Sequence, residues 1–478
     1  MRRNPKSISP RRHKGALQSF QLQPRDIRRP NGGLMPWAGP RERFNPEGLP
    51  LVDWFDPGQG VYRDGAALFT GTTQYLSFPD GAAFRTGDIG YTFGGWFLVS
   101  DMTRRHMLIS KGDEYYVEYS FNTGRFRLLV DNTHQVLAGN LGQPSLSQWY
   151  FIVCWHDPAA NLICIQINDG GVDSAAYPGG SPIYNSGFNV GAYEGGLTLD
   201  GKADSVFFYK RLLSAAERTE LYHAGTGKNY SELSSSLKTS LVSWWEMEQA
   251  GGSRLDSHGG NTLADHGGVS LAGGVVASPA QPGDAVSLWV SRAGLGHVAA
   301  QSAMGKRPAL ATDINGVPYL SFDGVDDLLE INGCAACFTG KGTLVAGFSP
   351  LDTNYSLYHA SASNGWWAHG SGVEFGDFRG SAIVGYPTGN PLVGGNHVVS
   401  ISSSAGGYEV RVDGFSGGAQ SGGFSVLDKH SIGGSWESAD RPFRGRVHGI
   451  FLCNEVLMPH RLQQAERFLA NKNGATTL

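Results

Sequence analysis

Cysteine is scarce, with five in 478 residues, too few and too scattered for a disulfide scaffold. Charged side chains make up only 17% of the chain. No run of about 18 consecutive apolar residues occurs, so no transmembrane helix is expected. The basic stretch from Met1 to Lys14 is not followed by an apolar segment of signal-peptide length, and no secretory leader is expected either. Also missing are a Gly-x-Ser-x-Gly elbow, a Walker loop and an HExxH helix, which leaves nucleophilic, phosphoryl and zinc-peptidase chemistry without a signature. Cys334-Ala-Ala-Cys337 has knuckle spacing. It lacks the second pair of a tetrahedral zinc site and the βαβ setting of a redox motif, so ordinary thiols in a reducing compartment are expected.

Glycine, in contrast, is abundant at 68 residues. Short runs of Val, Ile, Phe, Tyr and Trp are broken by Gly, Asn, Asp and Pro, the composition of an all-β chain with many turns. The length suggests two or three domains, and an internal repeat favours two. Gly201-Lys-Ala-Asp-Ser-Val-Phe-Phe-Tyr-Lys-Arg-Leu-Leu213 returns as Gly445-Arg-Val-His-Gly-Ile-Phe-Leu-Cys-Asn-Glu-Val-Leu457, each followed by a helical pattern. That offset of 244 lays Asp169 on Asp413, whereas the preceding strands, Ile165 and Ile167 on Val410 and Val412, need 245. Ser214-Ala-Ala-Glu217 reads as a capping box, and Pro459 as a helix opener. The reading is an all-β chain of two tandem antiparallel sandwiches, which the resemblance given below makes jelly rolls, with short capping helices and an extended N-terminal arm. Its parts are an arm over 1–48, sandwiches over 49–230 and 283–478, and a linker over 231–282. In that linker Leu241-Val-Ser-Trp244 resembles Leu51-Val-Asp-Trp54, and either begins the second unit or returns to the first.

Charge is unevenly placed. Residues 1–48 hold 11 Lys/Arg and 3 Asp/Glu, a balance of +8, and the rest holds 27 and 39, a balance of −12. Seven prolines in the same stretch indicate an extended basic arm on an acidic body. Arg2, Arg3, Arg11, Arg12, Lys14 and Phe20 are its anchoring candidates, a solubility tail being the alternative. Nucleic acid is a poor partner for the arm, because aromatic interleaving is sparse.

In the hairpin of Trp149–Trp155 and Leu162–Ile167, alternation sets Trp149, Phe151, Val153 and Trp155 on one face and Ile163, Ile165 and Ile167 on one face. These are the expected core. Cys154 and Cys164 fall opposite and are expected to be neighbours, with a disulfide disfavoured.

Phe322-Asp-Gly324 with Asp326-Asp327, the Asp-Gly turns at Asp169 and Asp413, and Leu213-Ser-Ala-Ala-Glu-Arg218 resemble the laminin-G-like jelly rolls of the concanavalin A-like lectin/glucanase superfamily. The resemblance runs over roughly residues 50–478 in two copies. The first copy departs from it at Thr70 and Thr72-Thr-Gln74, where the acidic residues are missing. It implies two curved sheets per domain with binding on the concave face or the rim loops. It also implies calcium in some members, for which Asp323, Asp326 and Asp327 would supply oxygens. Otherwise no cofactor is expected.

A glucanase of this superfamily needs paired carboxylates. Glu246-Met-Glu248 offers two, but Ala250 breaks the alternation, and a solvated strand end is the expectation. That leaves binding rather than catalysis. Trp366 and Trp367 near Asn364 and His369, and Trp436 beside Glu437, are the residues expected to stack on glycan rings. The functional expectation is a non-enzymatic virion surface protein of a bacteriophage, of decoration or fibre type. The arm would meet other virion proteins and the body surface glycans, with no membrane partner and with homo-oligomerisation open. The alternatives are a bacterial extracellular carbohydrate-binding or adhesion protein, and a glucanase-like hydrolase.

Overall fold

The computed structural model describes residues 44–293, 295, 297–334, 341–352, 355–359, 374–377, 382–385, 394–404, 406–420, 429–434 and 442–475. Every pairing between its strands is antiparallel. Among the described residues, sheets of seven, thirteen and eight strands stack as β-sandwiches, beside one separate two-stranded hairpin. No described helix is long and apolar enough to cross a membrane.

In the first sandwich the seven-stranded sheet runs from Ala264–His266 through Tyr75–Phe78, Phe188–Val190 and His106–Ser110 to Tyr115–Ser120, Arg125–Val130 and His134–Leu137. It faces one half of the thirteen-stranded sheet across a core that includes Phe69, Phe93, Tyr115, Phe126, Ile152, Ile165, Phe208 and Trp245. The outer side of that larger sheet is apolar as well. Trp96, Phe151, Val153, Phe207 and Trp244 meet Leu221 and Leu237 from the covering helices Ala215–Tyr222 and Ser235–Lys238. The hairpin strands are therefore buried on both faces, and the expected core is corrected. Phe151, Val153 and Trp155 lie under the helix, whereas Cys154 joins Ile163, Ile165 and Ile167 inside the sandwich. Cys164 belongs to the helix side, so the two thiols occupy opposite faces and both are free.

The second sandwich has its own core, with Trp289, Phe322, Leu329, Leu344, Phe348, Ile401, Ile432 and Ile450 among its members. Its eight-stranded sheet is backed by the helix Pro459–Asn473, which buries Leu462, Ala465 and Leu469. The opposing strands are the far half of the thirteen-stranded sheet, because Val61–Thr70 serves both bodies. Its last residues pair with Asp200–Tyr209 and its first, Val61 and Tyr62, with Leu288–Val290.

Each sandwich closes on a long strand, Asp200–Tyr209 in the first and Arg444–Cys453 in the second, and the closing strands share detailed geometry. Gly201 and Gly445 have φ of +154° and +155°. A Cβ on Gly201 would lie 1.9 Å from the Leu98 carbonyl oxygen and one on Gly445 2.4 Å from that of Ser349, which only glycine avoids. Thr92 Oγ1 donates to the Arg211 carbonyl at 2.8 Å and accepts from the Leu213 amide at 3.2 Å. Thr343 does the same with Glu455 and Leu457 at 2.8 and 3.0 Å. At the earlier turn, Asn168 exchanges hydrogen bonds with the Phe151 backbone as Asp413 does with Val398, so the offset of 245 continues through the turn and Asn168, not Asp169, is the counterpart of Asp413.

The outer edge of each closing strand is completed by a strand of similar sequence, and here the chain crosses over. Leu241–Trp245 pairs with Val206 to Tyr209, and Leu51–Phe55 pairs with Ile450 to Cys453. Trp244 lies opposite Phe207 and Trp54 opposite Phe451, which are equivalent positions. The strand nearest the start of the chain therefore finishes the second sandwich rather than the first. Leu241–Trp245, Ala264–His266 and Ser270–Pro279, all within the expected linker, hydrogen-bond into the sheets of the first. Of the two placements open for Leu241-Val-Ser-Trp244, the structure takes the return to the first unit.

Candidate functional site

The turn Asp313-Ile-Asn-Gly316 joins the strands Ala309–Thr312 and Pro318–Asp323. Asp313 holds it, its carboxylate accepting the Asn315 and Val317 amides at 2.8 Å each, while Gly316 supplies φ +78°. The tight turn forces Ile314 fully into solvent, at 100% exposure. Beneath it, the Arg446 guanidinium lies 4.9 Å from the centre of the Tyr319 ring, in cation–π range.

The opposite wall is the end of Pro459–Asn473, where Gly474 adopts the left-handed cap with φ +79°. Asn473 donates from Nδ2 to the His397 carbonyl at 2.8 Å. Lys472 is paired with Asp56, which also accepts from Arg292 at 3.0 Å. Between the turn, Asn396 and the helix end lies a cleft of about 760 Å³. Next to the lining residue Tyr319, with ring centres 5.5 Å apart, the buried His448 shares a hydrogen bond with Ser349 Oγ at 3.2 Å. Burial first, and then the Lys472 and Arg446 cations, push the His448 pKa down to about 4, so this imidazole is neutral near pH 7.

The cleft presents amides from Asn315, Asn396 and Asn471, the Arg446 guanidinium and the Asp313 carboxylate. Amides both donate and accept, guanidinium donates and carboxylate accepts. Such a lining suits a ligand rich in hydroxyls. Among the described residues, no reacting pair of carboxylates or nucleophile and base lines it.

Other expected sites fare differently. Arg2, Arg3, Arg11, Arg12, Lys14 and Phe20 lie outside the described residues, as do Trp366, Trp367, Trp436, Asn364, His369, Glu437 and Cys337. Asp323, Asp326 and Asp327 do converge, each offering an oxygen within 4.8 Å of the others. Their oxygens also cap the turn: Asp327 accepts from the Asp323 amide at 2.8 Å and Asp323 from the Val325 amide at 2.7 Å. Burial, then the neighbouring carboxylates, raise the Asp327 pKa to about 6, a charge crowding that a cation would relieve.

Glu246 and Glu248 correct an expectation. The strand ends at Trp245, and Glu248 is buried rather than solvated, at 4% exposure. It sits 3.5 Å from Arg63 and close to the wholly buried Asp204, whose carboxylate accepts the Val275 and Val276 amides at 2.9 Å each. Burial, and their mutual repulsion for Glu248, hold both carboxyls above their usual range. Glu246 accepts the Tyr230 amide at 2.9 Å. On the outer face of the seven-stranded sheet, Glu118 is clamped between Arg105 and Arg127, and Tyr193 packs over Met107, Tyr116 and Leu129. That face is committed to its own contacts.

The cleft residues carry no sequence motif, since they come from four separated segments. The one legible sign was an isoleucine inside an Asp-x-Asn-Gly turn.

Residues 70–217 match the family model Laminin_G_3, described as concanavalin A-like lectin/glucanases superfamily. No curated protein matches the chain. Similar solved structures include a candidate carbohydrate-binding protein from Bacteroides ovatus, with 13% identity and TM-score 0.37 over 45% of this chain and 62% of that one. This chain thus spans less than two thirds of that protein. Domain 4 of AbnA, a GH43 extracellular arabinanase from Geobacillus stearothermophilus in complex with arabinotriose, shows 12% identity and TM-score 0.28 over 38% of this chain and 100% of that one. Domains LG4-5 of the mouse laminin alpha1 chain show 11% identity and TM-score 0.25 over 88% and 96%. The family match covers residues 70–217, the greater part of the first sandwich, and there the chain is similar to the concanavalin A-like lectin/glucanases superfamily.

Proposed function

We propose that this protein is a non-enzymatic glycan-binding protein that takes a saccharide in the cleft beside Arg446, and that it is displayed on the surface of a bacteriophage virion, held there by residues 1–48. The cleft lining carries the first part of this reading: four asparagines, Arg446, Lys472 and Asp313 line one concavity, with an apolar lip at Ile314. Hydroxyl-rich rings are bound by such mixed donors and acceptors together with apolar contact. The non-enzymatic part is supported by the burial of the Glu248–Asp204 pair away from solvent. The virion part rests on the separation of a +8 arm from a −12 body.

A glycan array probed with the full chain tests binding. Signal reduced in both Arg446→Ala and Asn396→Ala is expected. A silent array sinks the proposal, and binding abolished instead by Trp366→Ala or Trp436→Ala relocates it to those residues. Co-purification with phage particles should vanish when residues 1–48 are removed; retention without them defeats the anchoring role. Reducing-sugar release that disappears in Glu248→Gln would make the protein an enzyme.

A further inference from the structure

We propose that Asp53, His297 and Cys334 form a buried zinc-type cation site that staples the strand Leu51–Phe55 to the second sandwich. The three residues come from distant parts of the chain: Asp53 from that strand, His297 from the residue before Val298–Ala300, and Cys334 from two residues beyond Leu329–Asn332. A carboxylate oxygen, an imidazole nitrogen and the thiol sulfur all lie within 4.8 Å of one another. Asp53 and Cys334 are wholly buried, and the His297 side chain is 15% exposed.

The arrangement of Asp53 is not what the strand itself requires. Pairing sets Asp53 opposite the core residue Leu452. Its counterpart in the first sandwich is Ser243, opposite Phe208, and that neutral hydroxyl is satisfied by Asn261 Nδ2 at 2.8 Å. A serine therefore fills this slot without placing a charge inside a sandwich. In the second sandwich a carboxylate takes the slot, with His297 Nδ1 at 3.0 and 3.1 Å from its two oxygens and Ser291 donating to it. Burying a carboxylate is costly unless it is paired or bound to a metal.

The donor set identifies the class of ion. Calcium and magnesium take oxygen ligands, whereas one sulfur, one nitrogen and one oxygen suit zinc in a tetrahedral site with a fourth position to fill. Bond lengths of about 2.0–2.3 Å place tetrahedral donors roughly 3.5 Å apart. The His297–Asp53 edge is already closer than that, and the remaining edges close by a shift on the order of 1 Å. On binding, the Cys334 thiol loses its proton to solvent and becomes the thiolate ligand, while the Nδ1 proton now shared with Asp53 is displaced. The same trio could be read as a nucleophile with its base, but a wholly buried thiol offers a substrate no access, whereas ligand atoms all within 4.8 Å of one another suit a single ion.

The test uses the full chain, stripped with chelator and titrated with zinc or cobalt. Expected are one zinc per chain by elemental analysis, a thiolate-to-cobalt charge-transfer band, and a rise in melting temperature. Cys334→Ser should remove the band, and Asp53→Asn and His297→Gln should lower the stoichiometry. Fewer than about one zinc per ten chains at saturation, or a cobalt spectrum without the thiolate band, overturns the site. These two readouts on the unmodified chain decide the matter even where a variant fails to fold. Stoichiometry unchanged in both Cys334→Ser and His297→Gln would equally overturn it. Rapid alkylation of Cys334 in the folded chain that zinc does not slow would point to an accessible thiol instead.

Discussion

The two sandwiches differ most where their closing strands are most alike. Asp204 and His448 hold the same place, three residues beyond the matched glycines. In the first sandwich the strand Ser270–Pro279 continues past this point along Val61–Thr70, and its bulge donates the Val275 and Val276 amides to Asp204. In the second, the corresponding strand Ala309–Thr312 stops after four residues and turns back at Asp313. What is a sealed acidic pair in one body is a buried neutral histidine in the other, next to Tyr319 in the wall of an open cleft. Lys202 and Arg446 repeat the contrast, since Lys202 reaches the Gly273 carbonyl of the sealing strand at 3.1 Å while Arg446 faces the cleft. One frame thus gives a sealed interior or an open cleft according to how far a single edge strand runs.

The largest effect should come from the crossed strands. Trp54→Ala removes a ring packed on Phe451, Phe468 and Arg292 and should cost about 3–5 kcal/mol. Hydrogen exchange should then accelerate in Arg444–Cys453 and not in Asp200–Tyr209, with Trp244→Ala giving the reverse. Acceleration of Asp200–Tyr209 by Trp54→Ala would break the crossing. Next, Thr92→Val and Thr343→Val each leave a buried amide without its acceptor and should cost about 1–3 kcal/mol. Equal losses in denaturant melts sharpen the equivalence of the bodies, and a difference beyond experimental error weakens it.

Arg446→Ala should weaken saccharide binding roughly tenfold, about 1.4 kcal/mol, whereas Lys202→Ala should leave binding untouched in the same titration. The gentlest effect is on pH. Glu248 and Asp204 have folded pKa values above those of the unfolded chain, so their protonated forms stabilise the fold. That contribution is complete below the unfolded carboxylate pKa of about 4 and is lost as pH rises through the raised folded values. Melting temperature should fall on the alkaline side and fall less in Glu248→Gln. An unchanged slope removes the pair as the cause.

Much of this frame was legible in the sequence because it is local. The helix start at Ser214 forms the expected capping box with Glu217, and Pro459 opens its helix. The glycine pair followed from a fixed offset. Partners across hundreds of residues were not legible. Leu51-Val-Asp-Trp54 and Leu241-Val-Ser-Trp244 were recognisably alike, yet nothing in either segment says which closing strand it joins. Glu248 reads as solvated because the strand that buries it lies more than twenty residues on. The cleft was invisible for a similar reason: its amides matter only once a turn, a loop and a helix end meet. The aromatic residues singled out for stacking, Trp366, Trp367 and Trp436, fall outside the described residues, so the cleft and those residues are independent candidates.

The crossing also sets a schedule. Leu51-Val-Asp-Trp-Phe55 leaves the ribosome roughly 400 residues before its partner strand is complete, and at about 5–20 residues per second that is a wait of roughly 20–80 s. During that wait a five-residue apolar strand has no sheet to join and is open to the wrong one. Asp53, in its middle, is the single charge in the segment, and a charge there is what keeps such a strand from pairing with its like in another nascent chain. The residue that is awkward inside the finished sandwich is of the type that guards an apolar strand before its sheet exists.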